Sequence, residues 1–162
     1  MVTWALGLIA SGHSPADRIT WGLEVFPASI AFAFMWPTRK SFPLTPMLDT
    51  LIAIHGLILI LGGAYTYAKL PLGFWMQDGF GFTRNNYDKI GHFAQGFVPA
   101  IAAHELLIRK FNVRHRRLLP FLLISICLGF SAFYEIIEWW SAVAMGQGAD
   151  NFLGTQGDIW DT

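Results

Sequence analysis

Four long apolar stretches, residues 19–36, 47–67, 90–108 and 118–144, decide what this chain can fold into. Each approaches the length of about 20 mainly apolar residues with which an α-helix, rising roughly 1.5 Å per residue, crosses a hydrocarbon core of about 30 Å. Inside a bilayer every backbone N–H and C=O must be paired within the protein, so segments of this kind span as helices. No stretch alternates apolar and polar residues for long enough to build a transmembrane barrel. A fifth stretch, residues 1–10, is about half a span. Without a charged start or a small-residue cleavage site it reads as the tail of a helix rather than a signal peptide. The expectation is an all-α, polytopic helical membrane bundle with four full spans plus a partial N-terminal one. Residues 1–162 then form a single integral membrane domain, expected to continue past both ends.

Composition agrees with the bilayer as solvent. Hydrophobic residues make up 54% of the chain and charged residues 14%, against roughly 25% charged in a typical soluble protein. Eleven Lys and Arg balance eleven Asp and Glu, so net charge gives no reason to expect a nucleic-acid partner. Cys127 is the single cysteine, which leaves no intrachain disulfide framework and no cysteine-based metal site. With loops alternating between the two sides, Arg39, Lys40, Arg109, Lys110, Arg114, Arg116 and Arg117 fall on one side. Arg18, Lys69, Arg84 and Lys89 fall on the other. The richer side is cytoplasmic by the positive-inside rule, which puts residues 11–18, the loop 68–89 and the tail after Ala144 outside.

In that orientation nine of the eleven acids lie on the outer side, leaving only Asp49 and Glu105 inside. Asp88 and His92 are four apart at the outer start of the third full span, and Glu135 and Glu138 are three apart near the outer end of the fourth. In a helix each pair projects from one face. Glu24 sits about one turn below the outer end of the first. An acid at a helix centre costs about 2.5–3.5 kcal/mol on insertion scales, so such groups face the bundle interior or a wet cavity. Clustered carboxylates repel one another, and a cation between them relieves the repulsion. Asp88, His92, Glu135, Glu138 and Asp158 are therefore the candidate ligands of a divalent metal, which such donors allow to be Mg²⁺, Mn²⁺, Fe²⁺ or Zn²⁺. His92, Glu135 and Glu138 are the candidate catalytic acid–base groups, and Arg84, Asn86, Tyr87 and Asp161 the candidate substrate contacts. The tail interleaves Gly146, Gly148, Gly154 and Gly157 with Asp150, Asp158 and Asp161, and its glycines let it turn back over the cavity mouth. It has neither the acid spacing of a calcium-binding helix–loop–helix nor a phosphate-loop lysine, and the chain has no Gly-x-Ser-x-Gly.

Structural roles stand beside these. Asp88 also suits a helix start, and Glu135 and Glu138 could hydrogen-bond between helices. Trp75, Trp139, Trp140 and Tyr65 read as interfacial anchors, and His55 as a satisfied core histidine. His104 and Glu105 lie at the cytoplasmic end, too far away to join the outer group. His115 and its basic neighbours set topology and touch anionic lipid.

The segments HGLILILGGAYTYAKLPLG, RNNYDKIGHFAQGFVPA, FYEIIEWW and GADNFLGTQGDIWDT, in that order from about Pro43 onward, resemble the YjdF-like family of bacterial inner-membrane proteins. The resemblance implies a multi-pass protein of the bacterial inner (cytoplasmic) membrane and another hydrophobic span after Thr162. More distantly, Asp88 to Phe93 and Glu135 resemble the VanZ-like family, whose founder is associated with resistance to a cell-wall glycopeptide antibiotic. That family's acid-x-x-Gln stands here as Glu135-x-x-Glu138.

Two classes of function fit. One is a membrane enzyme whose outward-facing, metal-supported acid site acts on a lipid or lipid-linked envelope intermediate, with Arg84 steadying a phosphate. The other is a non-catalytic ion or lipid binder, or a small transporter, built on the same carboxylates. The topology is tested with single cysteines at Gln77 and Asn112. A membrane-impermeant thiol reagent applied outside is expected to label the first and not the second, and the reverse pattern would invert the bundle.

Overall fold

Local signals start most of the helices. Asp17 caps α2 (Arg18–Thr38), its carboxylate accepting from the Thr20 N–H at 2.7 Å. Thr45 caps α3 (Pro46–Tyr65), where Pro46 supplies a fixed φ at the first position and no N–H needs a partner. A single 3₁₀ turn, Tyr67–Lys69, follows, then α4 (Pro71–Phe80), α5 (Tyr87–Arg109) and α6 (Leu118–Met145); α1 (Val2–His13) precedes them all. This computed structural model describes residues 2–146 and Gln156, and among them there is no strand.

Helix α3 is the hub, packed against α1, α2 and α5, and α6 packs against α5. Among the described residues three helices are long and apolar enough to cross a membrane on composition: α2, α3 and α6, with mean hydropathies of 1.3, 1.9 and 1.9 over 18 residues. The fourth expected span, α5, has 23 residues, or about 34 Å of helix. Its charged and polar residues keep it off that tally. Its place rests on packing instead: held between α3 and α6, it buries Asp88, Gly91, Ala94, Val98 and Glu105. At twelve residues, α1 is the partial first span.

The expected loop 68–89 is a correction. Its first half holds the 3₁₀ turn and α4, because Pro71 opens a helix and Gly81, at φ 69°, closes it in the left-handed conformation. Ten residues are too few to span, and α4 leaves Trp75 71% and Phe80 69% exposed. A short helix with exposed aromatic rings suits the membrane interface, where such rings are favoured. His55 is a second correction. Its Nε2 is buried without a hydrogen-bond partner among the described residues, since Leu51, Ile52, Ile58 and Leu59, one turn to either side, offer no polar side chain.

At the end of the bundle away from α4, the buried Glu105 accepts from the Thr45 N–H at 3.0 Å and from the Thr45 hydroxyl at 2.7 Å. Arg109, one turn on, pairs with the same carboxylate and lays its guanidinium over the Phe42 ring at 4.6 Å. The last turn of α5 is thereby tied to the cap of α3.

The α2 cap gives a pH test. The hydrogen bond from the Thr20 N–H holds the Asp17 carboxyl below its ordinary value of 3.8. A depressed acid contributes stability above its unfolded pKa and loses it as pH falls through the folded one. Asp17→Ala is expected to cost about 0.5–2 kcal/mol at neutral pH. In thermal unfolding in detergent, the gap from wild type should narrow as pH drops below about 3.8. A gap independent of pH would remove the charged cap.

Candidate functional site

The site is organised by Tyr67. Thr66 ends α3 at φ 61° and ψ 144°, a backbone conformation that a β-branched residue holds only when its surroundings impose it. The turn aims the Tyr67 ring back between α3 and α5. There a Cβ on Gly62 would come within 2.5 Å of the ring, and one on Gly91 within 2.8 Å. Only glycine leaves room for an aromatic side chain at both positions. The ring packs on Tyr87 at 5.7 Å and joins a core with Leu70. Its hydroxyl lies beside the carboxyl of Glu24 on α2, at the wall of one cavity.

Asn85 fixes the other side of the turn. Its Nδ2 donates to the carbonyls of Ala68 at 3.2 Å and Leu70 at 3.1 Å, while Oδ1 accepts from the Tyr87 N–H at 3.0 Å. A Cβ on Gly73 would lie 1.8 Å from that Oδ1. One buried carboxamide therefore joins the 3₁₀ turn, α4 and the start of α5. Gln156, the one described residue of the tail beyond Gly146, donates its Nε2 to the Asn85 carbonyl at 2.7 Å.

Above this frame lies a cavity of about 20 Å³ bounded by Glu24, Tyr67, Asp88, His92, Gln95, Tyr134 and Glu138. That is room for roughly one water. A second cavity, of about 120 Å³, runs along the α5–α6 groove past Glu135, Ser131 and Cys127. His92 and Gln95 line both and stand between them.

The residues singled out from sequence divide as follows. Asp88, His92 and Glu138 meet at the small cavity, joined by Glu24. Glu135 does not; it is exposed and lines the second cavity. A spacing of three turns it away from Glu138 by about 60° around the helix, enough to set the two acids on either side of His92. Arg84 pairs with Asp88 at 3.4 Å and borders the site. Asn86 has its Oδ1 buried without a hydrogen-bond partner among the described residues. Tyr87 lies in the core, its hydroxyl donating to the Ile58 carbonyl at 3.4 Å, and does not line either cavity. Asp150, Asp158 and Asp161 lie outside the described residues. Among those described, no group of three His, Cys, Asp or Glu side chains could hold a metal ion. Asp88, His92, Glu135 and Glu138 alone thus do not assemble the expected metal centre, with Glu135 turned to the other cavity and Asp88 engaged by Arg84.

Sequence reasoning missed Tyr67, Gln95, Tyr134 and the binding role of Asn85. Gln95 lies three residues after His92 and Tyr134 four before Glu138, so helical spacing alone could have found both. Tyr67 read as the last residue of a span, and nothing local revealed the slot that Gly62 and Gly91 make for it. Trp139 and Trp140, 62% and 61% exposed, are placed as interfacial anchors would be.

A bundle of apolar helices around a polar pocket defines an integral, multi-pass membrane protein. The chain belongs to the predicted membrane protein family DUF2238, whose model matches residues 1–162. It is similar to the inner membrane protein YjdF of Escherichia coli (strain K12), at 53% identity over 161 residues, covering 99% of this chain and 77% of that protein. The inner membrane is its location. No solved structure matches the chain.

The aromatic slot is directly testable. Gly91→Ala is expected to lower stability by about 1–3 kcal/mol through overpacking. Tyr67→Phe keeps the ring, removes the polar group beside Glu24, and is expected to cost about 1 kcal/mol. Denaturant unfolding in detergent separates the two, and a neutral Gly91→Ala would mean the ring is not held there.

Proposed function

We propose that the α4 end faces outward and that the paired cavities form an acid–base site for a membrane lipid or lipid-linked envelope intermediate. The polar head sits at His92, over the mouth of the small cavity, and the hydrocarbon follows the α5–α6 groove. The observation that carries this reading is the position of His92 and Gln95 between two unlike cavities, one bounded by acids and tyrosines, the other by Pro99, Ile126, Cys127 and Phe130 beside Ser131 and Glu135. From Glu135 to Cys127 the groove runs two turns of α6, about 12 Å, which suits the start of a lipid tail pointing into the bilayer. His92 is exposed where the two meet, and imidazole is the side chain best suited to exchange protons near neutral pH. Glu135 and Glu138 serve as its acid–base partners from either side. Arg84, held on Asp88, gives a phosphate a charged contact at the rim. Of the residues that carry the VanZ-like likeness, Asp88 and His92 line the small cavity and Glu135 the second one.

A divalent cation, Mg²⁺, Mn²⁺, Fe²⁺ or Zn²⁺, would need further donors such as Asp158 to close around it, so the chemistry here is assigned to side chains. The second reading, a non-catalytic ion or lipid binder, is favoured by the small volume of the inner cavity.

The test is native mass spectrometry of the protein purified with its own membrane lipids, combined with turnover of the retained lipid. Wild type is expected to retain a polar lipid and convert it. His92→Ala should retain it without conversion, and Glu138→Gln should lose it. Retention without conversion by the wild type selects the binder, and equal retention by all three removes the site. Added metal or chelator reports separately, through a midpoint shift that grows as RT ln(1 + [L]/Kd).

A further inference from the structure

A larger cavity than these two lies at the other end of the molecule, far from His92 and its acids. It is a groove of about 460 Å³ between α2 and α3, with Trp4 of α1 at its inner end and Arg39, Phe42 and Asp49 at its mouth. Its volume is that of an ordinary ligand pocket, about 300–1,000 Å³. Its inner wall is apolar, formed by Trp4, Phe32 and Ala53 with their neighbours.

An aromatic ladder starts in this wall, at Trp4 and Phe32, and continues beside the groove to Trp36. Trp4 stacks on Phe32 at 5.4 Å, Phe32 stacks on Trp36 at 5.7 Å, and the Arg39 guanidinium sits 4.2 Å from the Trp36 ring centre. Arg39 also donates to the Trp36 carbonyl. These contacts hold a cation at the mouth while leaving most of its five N–H donors for a ligand. Asp49, in the first turn of α3, lines the same mouth. Among the described residues Arg39 and Asp49 are not ion-paired with each other. The mouth thus presents one held cation and one separate anion, and the groove behind it is mainly apolar.

We propose that this groove binds a phospholipid whose headgroup carries both a phosphate and a primary ammonium. The phosphate meets Arg39, the ammonium meets Asp49, and one acyl chain lies along the aromatic ladder. Guanidinium matches phosphate in two parallel hydrogen bonds. A purely anionic headgroup would satisfy Arg39 but set its phosphate against an Asp49 carboxylate with nothing to neutralise it. Charge complementarity therefore selects the zwitterion over the anion. The site is separate from the acid–base site, so the failure of either leaves the other standing.

The test reconstitutes the protein with phosphatidylethanolamine or phosphatidylglycerol and counts retained lipid by native mass spectrometry. Wild type is expected to retain the ethanolamine lipid about ten-fold better, the scale of one charged hydrogen bond. Asp49→Asn should abolish that preference while still binding both lipids. Arg39→Ala should weaken both, and Ala53→Phe, which fills the groove, should release the chain. Thermal unfolding of each variant checks that it is folded. A preference for phosphatidylglycerol, an unchanged preference in Asp49→Asn, or unchanged retention in Ala53→Phe would each overturn the proposal. So would retention of neither lipid by the wild type, the result expected if a segment of protein fills the groove.

Discussion

The slot that Gly62 and Gly91 make for the Tyr67 ring is the contact on which the site depends. An α-helix normally keeps its neighbour 8–10 Å away. Here two glycines on facing helices leave a gap filled by an aromatic ring that belongs to neither helix. The ring enters from the 3₁₀ turn, and the turn takes that direction because Thr66 adopts a positive φ. Once seated, Tyr67 shares a pocket with Glu24 of α2 and with residues of α5 and α6. Strain at Thr66 persists because the surroundings determine it from several sides. Asn85 is the chief of these, since three hydrogen bonds from one buried side chain fix the ends of the segment that carries Tyr67.

Much of this was legible in the sequence, and the legible part is that controlled by the solvent. Apolar length announced α2, α3 and α6, because a bilayer admits little else. The spacing of Asp88 and His92, with Glu138 at the matching end of another helix, foretold their meeting, because ionisable groups avoid lipid by facing one another. What was not legible depends on packing between distant segments. Gly62 and Gly91 are individually unremarkable in membrane helices, and their pairing across Tyr67 has no signature along the chain. Glu135 shows the limit of depth as a guide. It sits at nearly the depth of Glu138 yet serves another cavity, because rotation about the helix axis, not height, chooses its neighbours. Helix α4 was missed for the opposite reason: Pro71 and Gly81 marked its ends plainly, but a ten-residue segment carries no span signal.

Helix α5 shows how a chain with few charges deploys them. It has an acid near each end, and each acid is paired with an arginine one turn nearer that end: Arg84 with Asp88, and Arg109 with Glu105. In both pairs the acid is buried and the longer arginine is more exposed, the arrangement expected where a long cationic side chain can reach toward water while its partner remains inside. These are the acids that position the helix. Asp88 starts it beside the pocket, and Glu105 ends it on the cap of α3. Glu24 and Glu138 are treated differently. Among the described residues neither is ion-paired with a Lys or Arg, and both line the cavity that His92 borders. A carboxylate kept only for structure is most cheaply kept with its cation, because removing the charge from water costs several kcal/mol unless it is paired. Acids brought together from separate helices without one require a different account. The proposed site supplies one, and this contrast within one small bundle sets the acids ion-paired in the fold apart from those proposed for chemistry.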